Sequence, residues 1–314
     1  MAFLRLIRYK NLLIIALLQY LLRYSLMLPI LNAYNLEPTL SHFRFALVVL
    51  ATLTLAISGY IINDYFDLKI DRINRPHRVI VAEVFPRRTV LLWHVVFTLI
   101  GVFIGLYLAY VLRKESYALM FLSIPLLLWF YSTTLKKQML IGNLAIAFLT
   151  SMVAYLVVSV EFASLSRLHG DQILSTPACS SAWFWTTGFA FFAFVSTLGR
   201  EIIKDMEDTE GDEALKCTTL PIELGLPLTK WVVILIHLFI IVVLWFFFLW
   251  VPQLWESRLT FFYFLILITL PYLLLSIFIY RAKTKNAFSL ASKMSKTVML
   301  FGILYVFVVR SFFI

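Results

Sequence analysis

The sequence predicts an all-α polytopic membrane protein: nine transmembrane helices around a central cavity, the N-terminus cytoplasmic, and residues 1–314 forming a single domain. Three observations carry this. The chain is 62% hydrophobic and 14% charged, whereas a soluble domain is about half apolar and about a quarter charged. Apolar runs of about 20 residues recur along its whole length, too many for a soluble core to hide. The basic residues are distributed unevenly between alternate connecting segments, as expected when those segments face opposite sides of a membrane.

The runs fall at about 11–31, 45–62, 90–112, 117–134, 140–160, 183–198, 231–251, 259–279 and 297–313. Backbone in lipid is satisfied only in helices or closed barrels, and the period-two alternation of a barrel strand is absent. The run 183–198 is short for a span and is expected to continue helically into 199–204. The start of the chain, residues 1–10, is basic and amphipathic and leads into a full span with no small-residue cleavage site. No cleaved signal peptide is therefore expected.

With the N-terminus inside, 20 of the 27 Lys and Arg fall in inside segments and 6 in outside segments; Arg23 lies within the first span. That split sets the orientation and implies a multi-pass protein of the cell membrane. The net charge of +10 then reflects loops facing anionic membrane lipid rather than a nucleic-acid partner. Cys179 and Cys217 are too few for a disulfide framework and lack metal-ligand spacing.

The acids are more concentrated still. Of 17 Asp and Glu, 12 lie in two segments on the same predicted side. The first, between spans two and three, holds Asp64, Asp67, Asp71 and Glu83; it opens with Asn63-Asp64-Tyr65-Phe66-Asp67-Leu68-Lys69-Ile70-Asp71, running on to Pro76, which ends a helix or turns a loop. The second contains Lys204-Asp205-Met206-Glu207-Asp208-Thr209-Glu210-Gly211-Asp212. Asp64, Asp67 and Asp71 are spaced i, i+3, i+7, and so are Asp205, Asp208 and Asp212. At about 100° per residue each triplet lies within roughly 60° on one helical face. Carboxylates so close repel one another unless cations intervene. Oxygen-rich sites of this kind suit Mg²⁺ shared with substrate phosphates. Two such faces opposed across a bundle would hold two or more Mg²⁺ ions and a diphosphate.

Solvated helix ends are the competing reading for either cluster alone; the matched pair favours a site. Phosphate oxygens need donors as well. Arg72, Arg75 and Arg78 follow the first cluster, Lys136 and Lys137 follow span four, and Lys204 adjoins Asp205. For most of the 20 inside cations, membrane anchoring is a sufficient explanation. Tyr131 precedes Lys136, and Gly142-Asn143 opens span five, where Asn143 either faces the cavity or simply starts a helix.

At these residues the chain resembles the UbiA superfamily of intramembrane prenyltransferases. The family's N-D-x-x-D-x-x-x-D motif is complete in Asn63, Asp64, Asp67 and Asp71. Its second D-x-x-x-D motif is matched by Asp208 and Asp212, preceded by Asp205. Tyr131-Ser132 to Lys136, with Gly142-Asn143, is similar to its Y-S-x-x-L-K…G-N segment. The two motif regions look most like the geranylgeranylglycerol-phosphate geranylgeranyltransferase branch.

The resemblance implies a transferase of lipid biosynthesis that moves a polyprenyl group from its diphosphate, through an allylic cation, to a lipid or aromatic acceptor. It places Mg²⁺ on the six aspartates with Asn63 among the catalytic residues. Arg72, Arg75, Arg78, Lys136 and Lys204 then bind diphosphate, and Tyr131 and Asn143 face the acceptor or cavity. Some of the 29 Phe, 15 Tyr and 8 Trp would line an apolar groove and shield the cation. The nearer alternative is prenylation of a quinone precursor of 4-hydroxybenzoate or dihydroxynaphthoate type. A cation transporter or channel is the alternative of a different class. It predicts inverted repeats and broken mid-membrane helices, and the sequence has no clear internal repeat.

Overall fold

The computed structural model describes residues 1–314 apart from the side chain of Arg78; the diphosphate-binding expectation for Arg78 lies outside the described residues. Nine helices among the described residues are long and apolar enough to cross a membrane. They are α1 (Tyr9–Ala33), α2 (His42–Phe66), α3 (Arg87–Leu112), α4 (Glu115–Thr133), α5 (Ile141–His169), α6 (Pro177–Ala214), α7 (Leu220–Trp250), α8 (Arg258–Arg281) and α9 (Lys285–Arg310). Each contains one of the nine predicted runs or most of it. Helix α6 has 38 residues, about 57 Å at 1.5 Å per residue, so it carries its polar end well beyond the hydrocarbon. Helix α7 is interrupted near its start by Gly225, whose φ of 76° and ψ of 158° are not helical. The apolar run of this span begins only after that break.

The chain divides into two compact units. One comprises Met1–Lys136 with Tyr155–Trp183, the other Lys137–Ala154 with Phe184–Ile314. In the first unit α2 packs on α3 and α4. The approach is close because α3 offers glycines. A Cβ at Gly101 would fall 2.6 Å from Leu55, and one at Gly105 would fall 2.2 Å from Phe121. Ser41 caps α2, its hydroxyl accepting the Arg44 N–H at 3.3 Å. This recovers a donor that a helix start leaves unpaired.

Arg23, inside the first predicted span, has its partner in α5. Its Nη1 donates to Glu161 Oε2 at 2.8 Å, and the two side chains are 2% and 0% exposed. The other carboxylate oxygen of Glu161 accepts the Thr39 and Leu40 N–H groups at 2.8 and 3.0 Å. Both ions are therefore compensated, without which burial at this depth would be costly. A π-helical turn, Leu22–Met27, surrounds Arg23.

In the second unit, Ile202, Ile203 and Met206 of α6 share a core with Val233 of α7, Tyr272 and Leu275 of α8, and Phe288 and Val298 of α9. Two buried polar pairs lie within it. Tyr272 donates to Ser196 at 2.8 Å, and His237 Nδ1 lies 3.0 Å from the Ser276 hydroxyl.

Candidate functional site

The first aspartate triplet stands at the end of α2, but not on one straight helix. Helix α2 stops at Phe66, and a short helix, Leu68–Asn74, begins after Asp67. The Asp67 N–H still bonds the Asn63 carbonyl, and the Asp71 N–H the Asp67 carbonyl, at 2.9 and 2.8 Å. The interruption is therefore one residue long, and it sits on the middle aspartate. Pro76 follows a second break at Arg75, whose φ is −145°.

Cations and an amide hold this triplet. Arg8 Nη2 lies 2.7 Å from Asp64 Oδ1. The Lys136 ammonium donates to Asp67 Oδ1, with both side chains no more than 15% exposed. Asn63 Nδ2 donates to Asp67 Oδ2 at 2.7 Å. Asp71 lies beyond these contacts. Burial first, then the Asp67 and Asp64 carboxylates, push its pKa up to about 7, with Arg75 and Arg8 pulling the other way. Arg72 is turned away: it pairs with Glu83 at 2.7 Å, both side chains more than half exposed.

Arg8 has no spacing signal in the sequence, because 56 residues separate it from Asp64. Tertiary packing places it. Leu6 and Ile7 are buried with Ile57, Ile61, Val81 and Val90. Arg8 itself takes a left-handed conformation, φ 51° and ψ 50°, between the helix Ala2–Leu6 and α1. That turn brings the guanidinium to Asp64 and to within 5.0 Å of the Tyr60 ring centroid.

The second triplet lies on the unbroken α6, where i, i+3, i+7 spacing does put three carboxylates on one face. Asp205 accepts from Asn143 Nδ2 at 2.8 Å. Asn143 is buried in the first turn of α5, which begins at Ile141, so it belongs to the helix start and its amide also reaches Asp205. Asp212 is 8% exposed and lies 3.2 Å from the Thr219 hydroxyl that donates to it. The strand of chain after α6 is pinned by Thr218, whose N–H and hydroxyl both donate to the Lys137 carbonyl at 2.8 and 3.0 Å. Lys204 is held by Glu201, Nζ to Oε2 at 2.7 Å, and Arg200 Nη1 lies 2.9 Å from Glu201 Oε1. Glu201 had a legible signal. It precedes Asp205 by four residues and extends the acidic stripe by one helical turn.

The donor set fits a hard divalent cation. It is rich in carboxylate oxygens, and Asn63 Oδ1 is a buried acceptor with no hydrogen-bond partner. Mg²⁺ is bound by such oxygens. Among the described residues no three His, Cys, Asp or Glu side chains converge on one point. In the first triplet Arg8, Lys136 and Asn63 hold Asp64 and Asp67 instead.

Residues 25–303 match the profile of the UbiA prenyltransferase family. A relative from Methanothermobacter thermautotrophicus, digeranylgeranylglyceryl phosphate synthase, is 35% identical over 184 residues, 59% of this chain and 57% of that protein. The chain thus spans little more than half the length of the first curated relatives it matches. Two solved structures have similar folds. A UbiA homologue from Aeropyrum pernix K1 superposes with a TM-score of 0.62 at 15% identity, covering 92% of this chain and 96% of that one. A UbiA homologue from Archaeoglobus fulgidus bound to GPP and Mg²⁺ gives 0.54 at 16% identity, covering 98% and 100%. With the family profile covering most of its length and both aspartate motifs in place, the chain belongs to the UbiA prenyltransferase family.

Proposed function

We propose that this chain is a Mg²⁺-dependent intramembrane prenyltransferase, working as one functional unit from the cytoplasmic side of the cell membrane. It transfers a polyprenyl group, geranylgeranyl in our reading, from its diphosphate to a glycerol-phosphate ether lipid such as geranylgeranylglycerol phosphate. The observation that carries this is the pair of aspartate triplets with matched spacing, each at the polar end of a membrane-length helix. The names of the relatives support the acceptor class, and the Archaeoglobus homologue bound to GPP and Mg²⁺ supports the donor and the metal.

Asp64, Asp67, Asp71, Asp205, Asp208 and Asp212 would hold Mg²⁺, with Asn63 supplying its amide oxygen. When bound, the metal would supply charge neutralisation for the leaving diphosphate. Lys136, which bonds Asp67, would donate to the diphosphate oxygens with Arg75; Arg72, Arg78 and Lys204 complete the diphosphate-binding set of this reading. Fixed donors of this kind stabilise charge as it develops. The allylic C–O bond breaks, its electron pair leaving with the diphosphate. The acceptor hydroxyl oxygen attacks the allylic carbon, and its proton passes to an oxygen of the released diphosphate. In this reading Tyr131 serves the acceptor. Asn143, bonded to Asp205, positions that carboxylate rather than the acceptor.

The test is the purified full-length protein with geranylgeranyl diphosphate, Mg²⁺ and separate acceptors: geranylgeranylglycerol phosphate, 4-hydroxybenzoate and dihydroxynaphthoate. The expected result is an ether product with the glycerol-phosphate acceptor, lost in excess EDTA and restored by Mg²⁺. Undiminished turnover in EDTA overturns the metal site. A product from an aromatic acid alone reassigns the acceptor.

A further inference from the structure

At the end of the first unit farthest from Asp64 lies a cavity of about 660 Å³, and four cations line it: Arg44, Arg113, Lys114 and Arg167. Arg44 is in the first turn of α2, and Arg167 is in the last turn of α5. Arg113 and Lys114 link α3 to α4. Arg44 and Asp64 are twenty residues apart on α2, or about 30 Å, which is the thickness of a bilayer's hydrocarbon. The cavity therefore lies at the end of α2 opposite Asp64, about one hydrocarbon thickness away.

The charge count makes this placement unusual. Only 6 of the 27 Lys and Arg belong to the segments on that side, and four of the six line this one cavity. The positive-inside bias explains why such residues are few there; it does not explain why they are gathered. One carboxylate, Glu115, shares the wall. Asp171 approaches Lys114 only to 3.6 Å, and the two side chains are 78% and 41% exposed, so the pair is weak. Arg167 spends one N–H on the Val111 carbonyl at the end of α3, and a guanidinium has five. Leu106 and the 82%-exposed Tyr110 add an apolar wall.

We infer that this cavity binds the phosphate headgroup of an anionic membrane lipid. Guanidinium groups match phosphate oxygens in a two-pronged geometry. The wall of Leu106 and Tyr110 gives the lipid's first methylenes a surface, which a free phosphate would leave bare. Basic pockets between membrane helices are suited to such headgroups. The site is independent of the prenyl-transfer reading.

The experiment is native mass spectrometry of the full-length protein released from nanodiscs of equal phosphatidylglycerol and phosphatidylcholine. One phosphatidylglycerol per chain is expected to be retained in preference to phosphatidylcholine. Arg113→Gln with Lys114→Gln should weaken retention roughly thirtyfold, two surface charges at about fivefold each. Glu115→Gln should tighten it about fivefold. Lys293→Gln, in the other unit, should leave it unchanged. Equal retention of both lipids, or undiminished retention by the double variant, overturns the site. Displacement of the lipid by millimolar inorganic phosphate overturns the lipid assignment in favour of a free anion. If the double variant fails to fold, Glu115→Gln decides, and no tightening there counts against the site.

Discussion

The two aspartate triplets have the same spacing and different neighbours. The first stands on a helix that breaks at its middle aspartate, and cations are built against it: Arg8 on Asp64 and Lys136 on Asp67. The second stands on an unbroken helix, where a neutral amide from Asn143 holds Asp205 and a hydroxyl from Thr219 holds Asp212. Glu201 holds Lys204 and Arg200 beside it. The same i, i+3, i+7 pattern thus serves two designs. In the first, the cations stand directly on two of the carboxylates. In the second, an amide and a hydroxyl fix the orientation of Asp205 and Asp212.

The largest expected effect does not separate the halves. Asp67→Ala and Asp208→Ala should each lower turnover by about a thousandfold or more, since each removes a carboxylate from the metal–diphosphate clamp we propose. Turnover per inserted protein in proteoliposomes checks this, and near-normal rates for both variants would end the two-cluster reading.

The next effects should separate them. Lys136→Ala removes a cation that we assign to the leaving group. Its kcat should fall by roughly a hundredfold or more, with little change in the Mg²⁺ concentration giving half-maximal rate. Asn143→Ala removes the amide that orients Asp205, a metal ligand in the proposed site, and such a loss typically costs about 10–100-fold in metal affinity. Its half-maximal Mg²⁺ should rise by that order, and saturating Mg²⁺ should recover most of kcat. A full Mg²⁺ titration of both variants reads the difference; if the two profiles are the same, the contrast between the halves is wrong. Arg8→Gln should fall between them, because it frees Asp64 without removing a ligand. We expect about a tenfold loss in kcat/KM, measured under the same titration.

These residues also mark where the sequence was readable and where it was not. The membrane spans were legible because burial in lipid demands about 20 apolar residues in a row, and hydropathy registers that directly. Their polar ends were legible only in part: the run 183–198 was expected to continue helically into 199–204, and it does. Helix α6 reaches Ala214 because its last turns are held by contacts such as Asn143 to Asp205, which no apolar pattern reports. Both triplets were legible from spacing alone, but the break at Asp67 was not, since nothing in Asn63–Asp71 is a helix breaker. Lys136 was found by its position after span four. Arg8 and the Arg23–Glu161 pair were missed because their partners are 56 and 138 residues away, and pairing at such distance is a property of the packed helices.

The smallest effect tests the edge of the first triplet. Spacing places Arg72 one residue after Asp71 and makes it a diphosphate donor, yet its guanidinium is bonded to Glu83 where both side chains are more than half exposed. An exposed pair of this kind contributes about 0–1 kcal/mol. Arg72→Ala should therefore shift the melting temperature by no more than a few degrees. Its kcat/KM should fall less than about threefold, a loss within the same small range of free energy. Lys136→Ala, on the same side of the unit, should lose far more. Should Arg72→Ala lose as much as Lys136→Ala, Arg72 must leave Glu83 when the diphosphate arrives, and the first triplet would then draw on loop cations as well as on the two built against its aspartates.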